Sequence, residues 1–187
     1  MVLCYIICCT LSRMSNTNTS DILSQKFIVG LNGALAMENA GLERLQSRIQ
    51  ETTLPDIRQQ LEHHAQETSE HQKRLQQLIT DLGGQPTQEK MELPLPKFPQ
   101  AMLDKMKNTL TPEELELKIT EEDLIIENAE LGCYHMLIQK AKLADGQFQT
   151  AEDMLSLNMQ DEVKMRDWLW TNSSSMLTKM WPKIQSA

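Results

Sequence analysis

The sequence predicts an all-α fold built as a four-helix bundle, and three observations lead there. Gly and Pro number only 7 each in 187 residues, too few for the many turns of a sandwich or barrel. Aromatic residues make up 4%, while Leu, Gln, Glu, Lys and 12 Met dominate, a mixture that favours helix over strand. Apolar residues also recur at three- and four-residue steps over long stretches, the period of a helix with one buried face. The length suffices for one domain with a sizeable core.

The first helix is expected over residues 21–50, where Phe27, Leu31, Ala34, Glu38, Leu42, Leu45 and Ile49 form the inward stripe. Pro55 suits the first turn of a second helix and Gly83-Gly84 its end. Its stripe is Ile57, Leu61, His64, Thr68, His71, Leu75 and Leu78. Pro86, Pro94, Pro96 and Pro99 then mark a long crossover with one short helix near residues 100–108. Thr111-Pro-Glu-Glu114 is a capping box opening a further helical stretch, and the main third helix is expected over residues 120–143. That helix carries Leu124, Glu127, Leu131, Tyr134, Ile138 and Ala141 inward and ends at Asp145-Gly146. A fourth helix starts at Thr150 with stripe Leu155, Asn158, Glu162, Met165 and Leu169, and a short amphipathic C-terminal helix (Met176, Leu177, Met180, Trp181) precedes Pro182. Two helix hairpins joined by one long crossover make an up-down bundle of the ferritin-like kind.

The amino terminus stands apart. Residues 2–10 are apolar and hold Cys4, Cys8 and Cys9, but a bilayer span needs about 20 apolar residues. A secretory signal would place a basic residue before the apolar run, whereas Arg13 follows it. Residues 1–19 are expected to be a flexible segment, with Met14 as initiator and 1–13 an upstream translation extension, and residues 20–187 to be the bundle domain. The alternative for the first residues is a short membrane-touching anchor. Cys133 is the only cysteine of the body, so no disulfide framework is expected and a cytoplasmic location fits.

With 18 basic against 26 acidic residues the chain carries a net charge of −8. This excludes a general binder of nucleic acid or anionic membrane and is compatible with attracting cations. The stripes stop being apolar near the middle of each helix: Glu38, Glu67 beside the stripe with His64 and His71 one turn either side, Glu127 with Glu130 three residues on, and Glu162. In antiparallel helices these midpoints share one level. Several buried carboxylates cost many kcal/mol together unless cations neutralise them, which divalent metal ions with oxygen and imidazole ligands would do. Each Glu taken singly reads as an edge residue that snorkels outward. Tyr134 either bonds a ligand carboxylate or is a core tyrosine with a satisfied hydroxyl, and Cys133 is a small core residue. His63 and His135 are expected at the surface. Of Trp168 and Trp170, one should point inward and the other cover a neighbouring surface. Gly-rich phosphate loops, CxxC pairs and nucleophile-elbow motifs are absent from the sequence.

Ala36-Met-Glu38, His64-Ala-Gln-Glu67-Thr68-Ser-Glu-His71, Glu127-Asn-Ala-Glu130 with Tyr134, and Asp161-Glu162 give the chain a further likeness. Over about residues 24–177 it resembles the YciE/YciF-type ferritin-like family of bacterial stress-associated proteins. The resemblance implies a bundle that forms a homodimer and holds a dinuclear centre, with Glu38, Glu67, Glu127 or Glu130, and Glu162 as ligands. His71 would be a ligand or support one. The chain departs from the family at Asn128-Ala129, where a Glu-His-Tyr-Glu motif is expected, and at Met165-Arg166, one turn after Glu162. Arg166 could pair with Glu162, leaving a mononuclear site on the Glu67/His71 side. Two functional classes follow. One is a metal-binding protein with two iron or manganese ions, or one, that handles dioxygen, peroxide or iron in a redox or stress-protective role. The other is a non-catalytic helical dimerisation or interaction module with a degenerate site.

Overall fold

The computed structural model describes the backbone of residues 2–97 and 99–185, and the side chains of 21–97 and 99–185 apart from 100, 103 and 107. Five helices follow in order: α1 (Val2–Glu51), α2 (Pro55–Asp81), α3 (Gln100–Thr109), α4 (Pro112–Lys142) and α5 (Gln149–Gln185). The expected flexible segment over 1–19 lies outside the residues whose side chains are described. None of the described helices is long and apolar enough to cross a membrane.

The architecture is the expected one. The hairpins α1–α2 and α4–α5 pack against each other through α1 on α4 and α2 on α5, which closes the ring of four helices. The signals read at the helix ends operate as such. Thr111 and Glu114 form a reciprocal capping box at the start of α4, and Pro55 sits in the first turn of α2. Gly83 and Gly146 take φ of 81° and 80°, a conformation that favours glycine. At Gly84 a Cβ would lie 2.7 Å from Ile28, so the tight turn leaving α2 has no room for a side chain. The crossover after α2 is strapped along α1 by two asparagines: Asn32 Nδ2 donates to the Gln85 carbonyl (3.2 Å) and accepts at Oδ1 from Thr87 N–H (2.7 Å), and Asn39 Nδ2 donates to the Glu89 carbonyl (2.9 Å).

Three expectations about helix extent change, the first being that α1 begins at Val2 and not near residue 21. The third helix begins at Pro112 and runs unbroken to Lys142, since nothing between the capping box and Thr120 interrupts it. The C-terminal tail helix is present as the last turns of α5 and is continuous with it. Asn172 and Thr178 bond back to the carbonyls of Trp168 and Ser174 within this continuous helix. The inward phase of α1 also differs past Glu38: Gly41, Leu45, Arg48 and Thr52 are buried, while Leu42 and Ile49 are only half-buried. In α4 the buried position is Asp123, and Leu124 packs at the edge of the core.

The apolar core falls into two clusters. One joins Phe27, Leu31, Leu75, Tyr134 and Leu155, with Phe27 stacked on Phe148; the other joins Leu45, Ile57, Leu61, Met165 and Leu169. Each fully buried side chain of this kind contributes roughly 1.5–3 kcal/mol. Between the clusters along α1 lies Glu38, in a layer that is polar and buried.

Candidate metal centre

The polar layer is built from one face of each long helix. Glu38 comes from α1, His64, Thr68 and His71 from α2, Glu127, Glu130 and Tyr134 from α4, and Asn158 and Glu162 from α5. All are buried, with Glu162 and His71 at 0% exposure. The three- and four-residue spacing of His64, Thr68 and His71 puts them on one stripe, and α2 faces α1 and α5, so both imidazoles point into the layer.

Two groups of three ligand-type side chains converge there, and they share a member. Glu38, His71 and Glu162 bring one atom each within 4.8 Å of one another, and so do His64, Glu127 and Glu162. His71 Nδ1 lies 2.9 Å from Glu162 Oε1 and 3.4 Å from Glu38 Oε1. His64 Nε2 lies 3.4 Å from both Glu127 Oε1 and Glu162 Oε2. Each imidazole turns its other nitrogen away from the layer onto a carboxylate: His64 Nδ1 is 3.2 Å from Glu67 Oε2, and His71 Nε2 is 3.3 Å from Asp161 Oδ2. Such an outer carboxylate fixes the ring's tautomer and orientation.

Of the residues singled out in the sequence, Glu38, His64, His71, Glu127 and Glu162 form the two groups, and Glu130 is buried beside them. Gly41 faces Glu130 across the α1–α4 seam, where a Cβ would stand 3.0 Å from Glu130 Oε1. Glu67 does not enter either group. Its side chain is 15% exposed and sits behind His64, with His63 on its other oxygen at 3.3 Å. It therefore does not share a side of the layer with His71. Arg166 pairs with Asp167 at 2.6 Å and leaves Glu162 to the histidines, so the expected Arg166–Glu162 bridge is absent. Tyr134 donates its hydroxyl proton to Glu38 Oε1 and accepts a hydrogen bond from Asn158 Nδ2 at 3.0 Å. Arg74 donates to Asn158 Oδ1 at 2.8 Å, so a chain of donors runs from the edge of the bundle to Glu38.

Asp161 is the site residue that stripe reading passes over, since it lies one position off the inward line. The signal that did mark it was the Asp161-Glu162 pair, one of the motifs behind the family resemblance.

Proton affinities in this layer depart strongly from ordinary values. Burial drives Glu130 well above the usual carboxylate range, and the neighbouring Glu162, Glu38 and Glu127 add to it. Burial likewise raises Glu38 and Glu127 despite the histidines beside them. For His71, burial pulls downward, but Glu162 and Glu38 outweigh it and the pKa reaches about 10. His64 is raised in the same way by Glu127, Glu162 and Glu67. Burial opposes ionisation of Glu162, yet His64 and His71 hold it below the usual range. Without metal, protons therefore do the neutralising.

Even so, Glu38 Oε2, Glu127 Oε2 and both oxygens of Glu162 make no directed hydrogen bond. Buried acceptors in folded proteins are almost always satisfied, so these oxygens fit a cation better than they fit one another.

Residues 22–180 match a family model described as a domain of unknown function, DUF892. The chain belongs to the DUF892 family. A protein from Xanthomonas campestris pv. campestris whose crystal structure is known shares the fold of this DUF892 chain, with a TM-score of 0.69 at 17% identity over 87% of this chain and 99% of that one. No curated protein matches the sequence.

Proposed function

We propose that this DUF892 chain is a ferritin-like metal-binding protein with two divalent ions, iron or manganese, in the polar layer. Glu38 and His71 would hold one ion, His64 and Glu127 the other, and Glu162 would serve both, with Glu130 completing the carboxylate set. The single observation that carries this reading is the pair of buried Glu/His/Glu groups sharing Glu162, with carboxylate oxygens that make no directed hydrogen bond.

Charge supports it. Glu38, Glu127, Glu130 and Glu162 are four buried carboxylates, and two divalent ions with neutral imidazoles bring their charge to zero. The donor set of carboxylate oxygen and imidazole nitrogen suits iron and manganese. The rest of the chain serves the site in ways that need no ion to describe. Glu67 and Asp161 fix the two rings, Tyr134 holds Glu38, and the flanking apolar clusters keep bulk water out. When bound, iron or manganese would supply electron transfer to dioxygen or peroxide, or, for iron, its oxidation and storage. A redox or stress-protective role in the cytoplasm agrees with the resemblance to YciE/YciF-type proteins, which also suggests a homodimer. The interaction-module alternative would draw on Trp170 and Trp181, at 73% and 51% exposure.

The test is metal content. Metal-free protein given ferrous iron or manganese should retain about two ions per chain after gel filtration, a count that mass spectrometry reads. Glu162→Gln should drop it to one or none, and Glu67→Gln should weaken binding without abolishing it. Wild-type protein that retains no ion disproves the reading.

A further inference from the structure

The α1–α4 seam contains a feature that holding metal does not require. A cavity of about 10 Å³, room for about one water molecule, lies between Gly41 on α1, Asp123, Glu127 and Glu130 on α4, and His64 and Thr68 on α2. The missing side chain at Gly41 is what opens it, since a Cβ there would crowd Glu130. Glu127 lines the cavity and is one of the buried acids with an unpartnered oxygen. One turn further along α1, Arg44 also lines the cavity, and its side chain is 22% exposed. Its guanidinium reaches across to α4, 3.1 Å from Glu122 Oε2 and 3.4 Å from Asp123 Oδ1. Its Nε is buried and makes no hydrogen bond.

Resting on the metal-binding reading, we infer that this seam is the route by which divalent cations reach the centre and that Arg44 is its gate. A cation at the entrance of a closed seam meets a fixed positive charge before it meets the acids. The tether to Glu122 is partly solvated and weak, and Asp123 keeps Arg48 as a partner, so Arg44 can swing outward on its long side chain. Once it moves, the path past Gly41 leads to Glu127, Glu130 and His64. The pairs on Glu122 and Asp123 then draw the arginine back over the loaded site. Arg44 acts on the rate of exchange and touches none of the proposed ligands in the two groups of three.

The probe is Co²⁺ added to metal-free protein, followed by its visible absorption in a stopped-flow instrument, with final stoichiometry measured separately. Arg44→Gln should speed uptake about fivefold, the size expected for losing weak ion pairs, at unchanged stoichiometry. Release into excess chelator should speed up equally, which a change of affinity would not produce. Glu122→Gln loosens the tether from the other side. As a gate it should also speed uptake, although removing a negative charge would slow cation arrival if only the long-range field mattered. Unchanged rates in both variants overturn the inference, and so does faster uptake in Arg44→Gln with slower uptake in Glu122→Gln. Should Arg44→Gln fail to fold, Glu122→Gln decides alone, since it lies at the partly solvated edge. Wild-type protein that takes up no Co²⁺ overturns the metal reading itself, whereas normal loading at rates indifferent to both variants removes the gate alone.

Discussion

Among the described residues the bundle buries acidic side chains in two places, and they are solved differently. Near one end, Glu116 and Asp123 on α4 face Arg48 on α1, which is 0% exposed, at 3.2 and 3.0 Å, and Thr52 donates to Glu116 at 2.8 Å. About 15 Å of helix rise away along α1, and one turn on from Asp123 along α4, Glu38, Glu127, Glu130 and Glu162 face one another with two histidines and no arginine among them. The first region carries its own permanent cation; the second has only groups that can lose their charge. Burial of acids in a helical bundle is thus not by itself a metal signature. What distinguishes the candidate site is burial without a resident cation.

Even the self-sufficient region is under tension, because burial holds Asp123 above the usual carboxylate range although Arg48 and Arg44 pull it down. Removing its cation should therefore have the largest effect. Arg48→Met leaves two buried acids without their main partner and is expected to cost about 3–5 kcal/mol. Urea unfolding of metal-free and metal-loaded protein should show a similar loss, since Arg48 is paired with Glu116 and Asp123 and with none of the proposed ligands. A loss confined to one of the two forms would mean the regions are coupled and the contrast is false.

pH sharpens the contrast next. In metal-free protein His71 is raised to about 10 from its ordinary 6.5, so its contribution to stability is full below 6.5 and is lost as pH climbs through 10. Glu130 and Glu38, raised above an ordinary 4.5, act in the same sense, since their neutral forms suit burial and that advantage goes as they ionise. Melting temperature without metal should fall by several degrees between pH 6 and 9.5, a window set by those shifts. With metal bound the sign reverses, because ligands must shed protons to bind and affinity rises with pH. A metal-free melting curve that is flat across this window would contradict the proton-neutralised centre.

The smallest effect is expected at Tyr134→Phe. It removes the donor to Glu38 and the acceptor for Asn158, for about 1–2 kcal/mol in the metal-free form. Thermal denaturation would read it, and a neutral outcome would mean that Glu38 does not depend on that bond.

Most of the centre was legible because helical period converts sequence spacing into a shared face. The α2 stripe from Ile57 to Leu78 and the α5 stripe from Leu155 to Leu169 are buried at every expected position. Spacing alone does not separate Glu67 from the inward set, since three residues after His64 is a neighbouring position on the helix surface and the exact angle decides burial. The arginine-paired region escaped notice for a related reason. Glu116, Thr120, Asp123, Glu127, Glu130 and Tyr134 continue one four-three alternation along α4, and all are buried. Polar residues in its first turns look like a solvated face until a buried Arg48 is found opposite. A long-range ion pair leaves no local pattern in the sequence.

The two imidazoles approach Glu162 through opposite ring atoms, Nε2 of His64 and Nδ1 of His71. This gives the layer a polarity that its near-symmetric list of residues conceals. Glutamine copies the longer reach of Nε2 and asparagine the shorter reach of Nδ1, so one amide cannot stand in at both positions. The two halves of the centre are chemically inequivalent, and a ligand exchanged from one end to the other would arrive with the wrong atom in front.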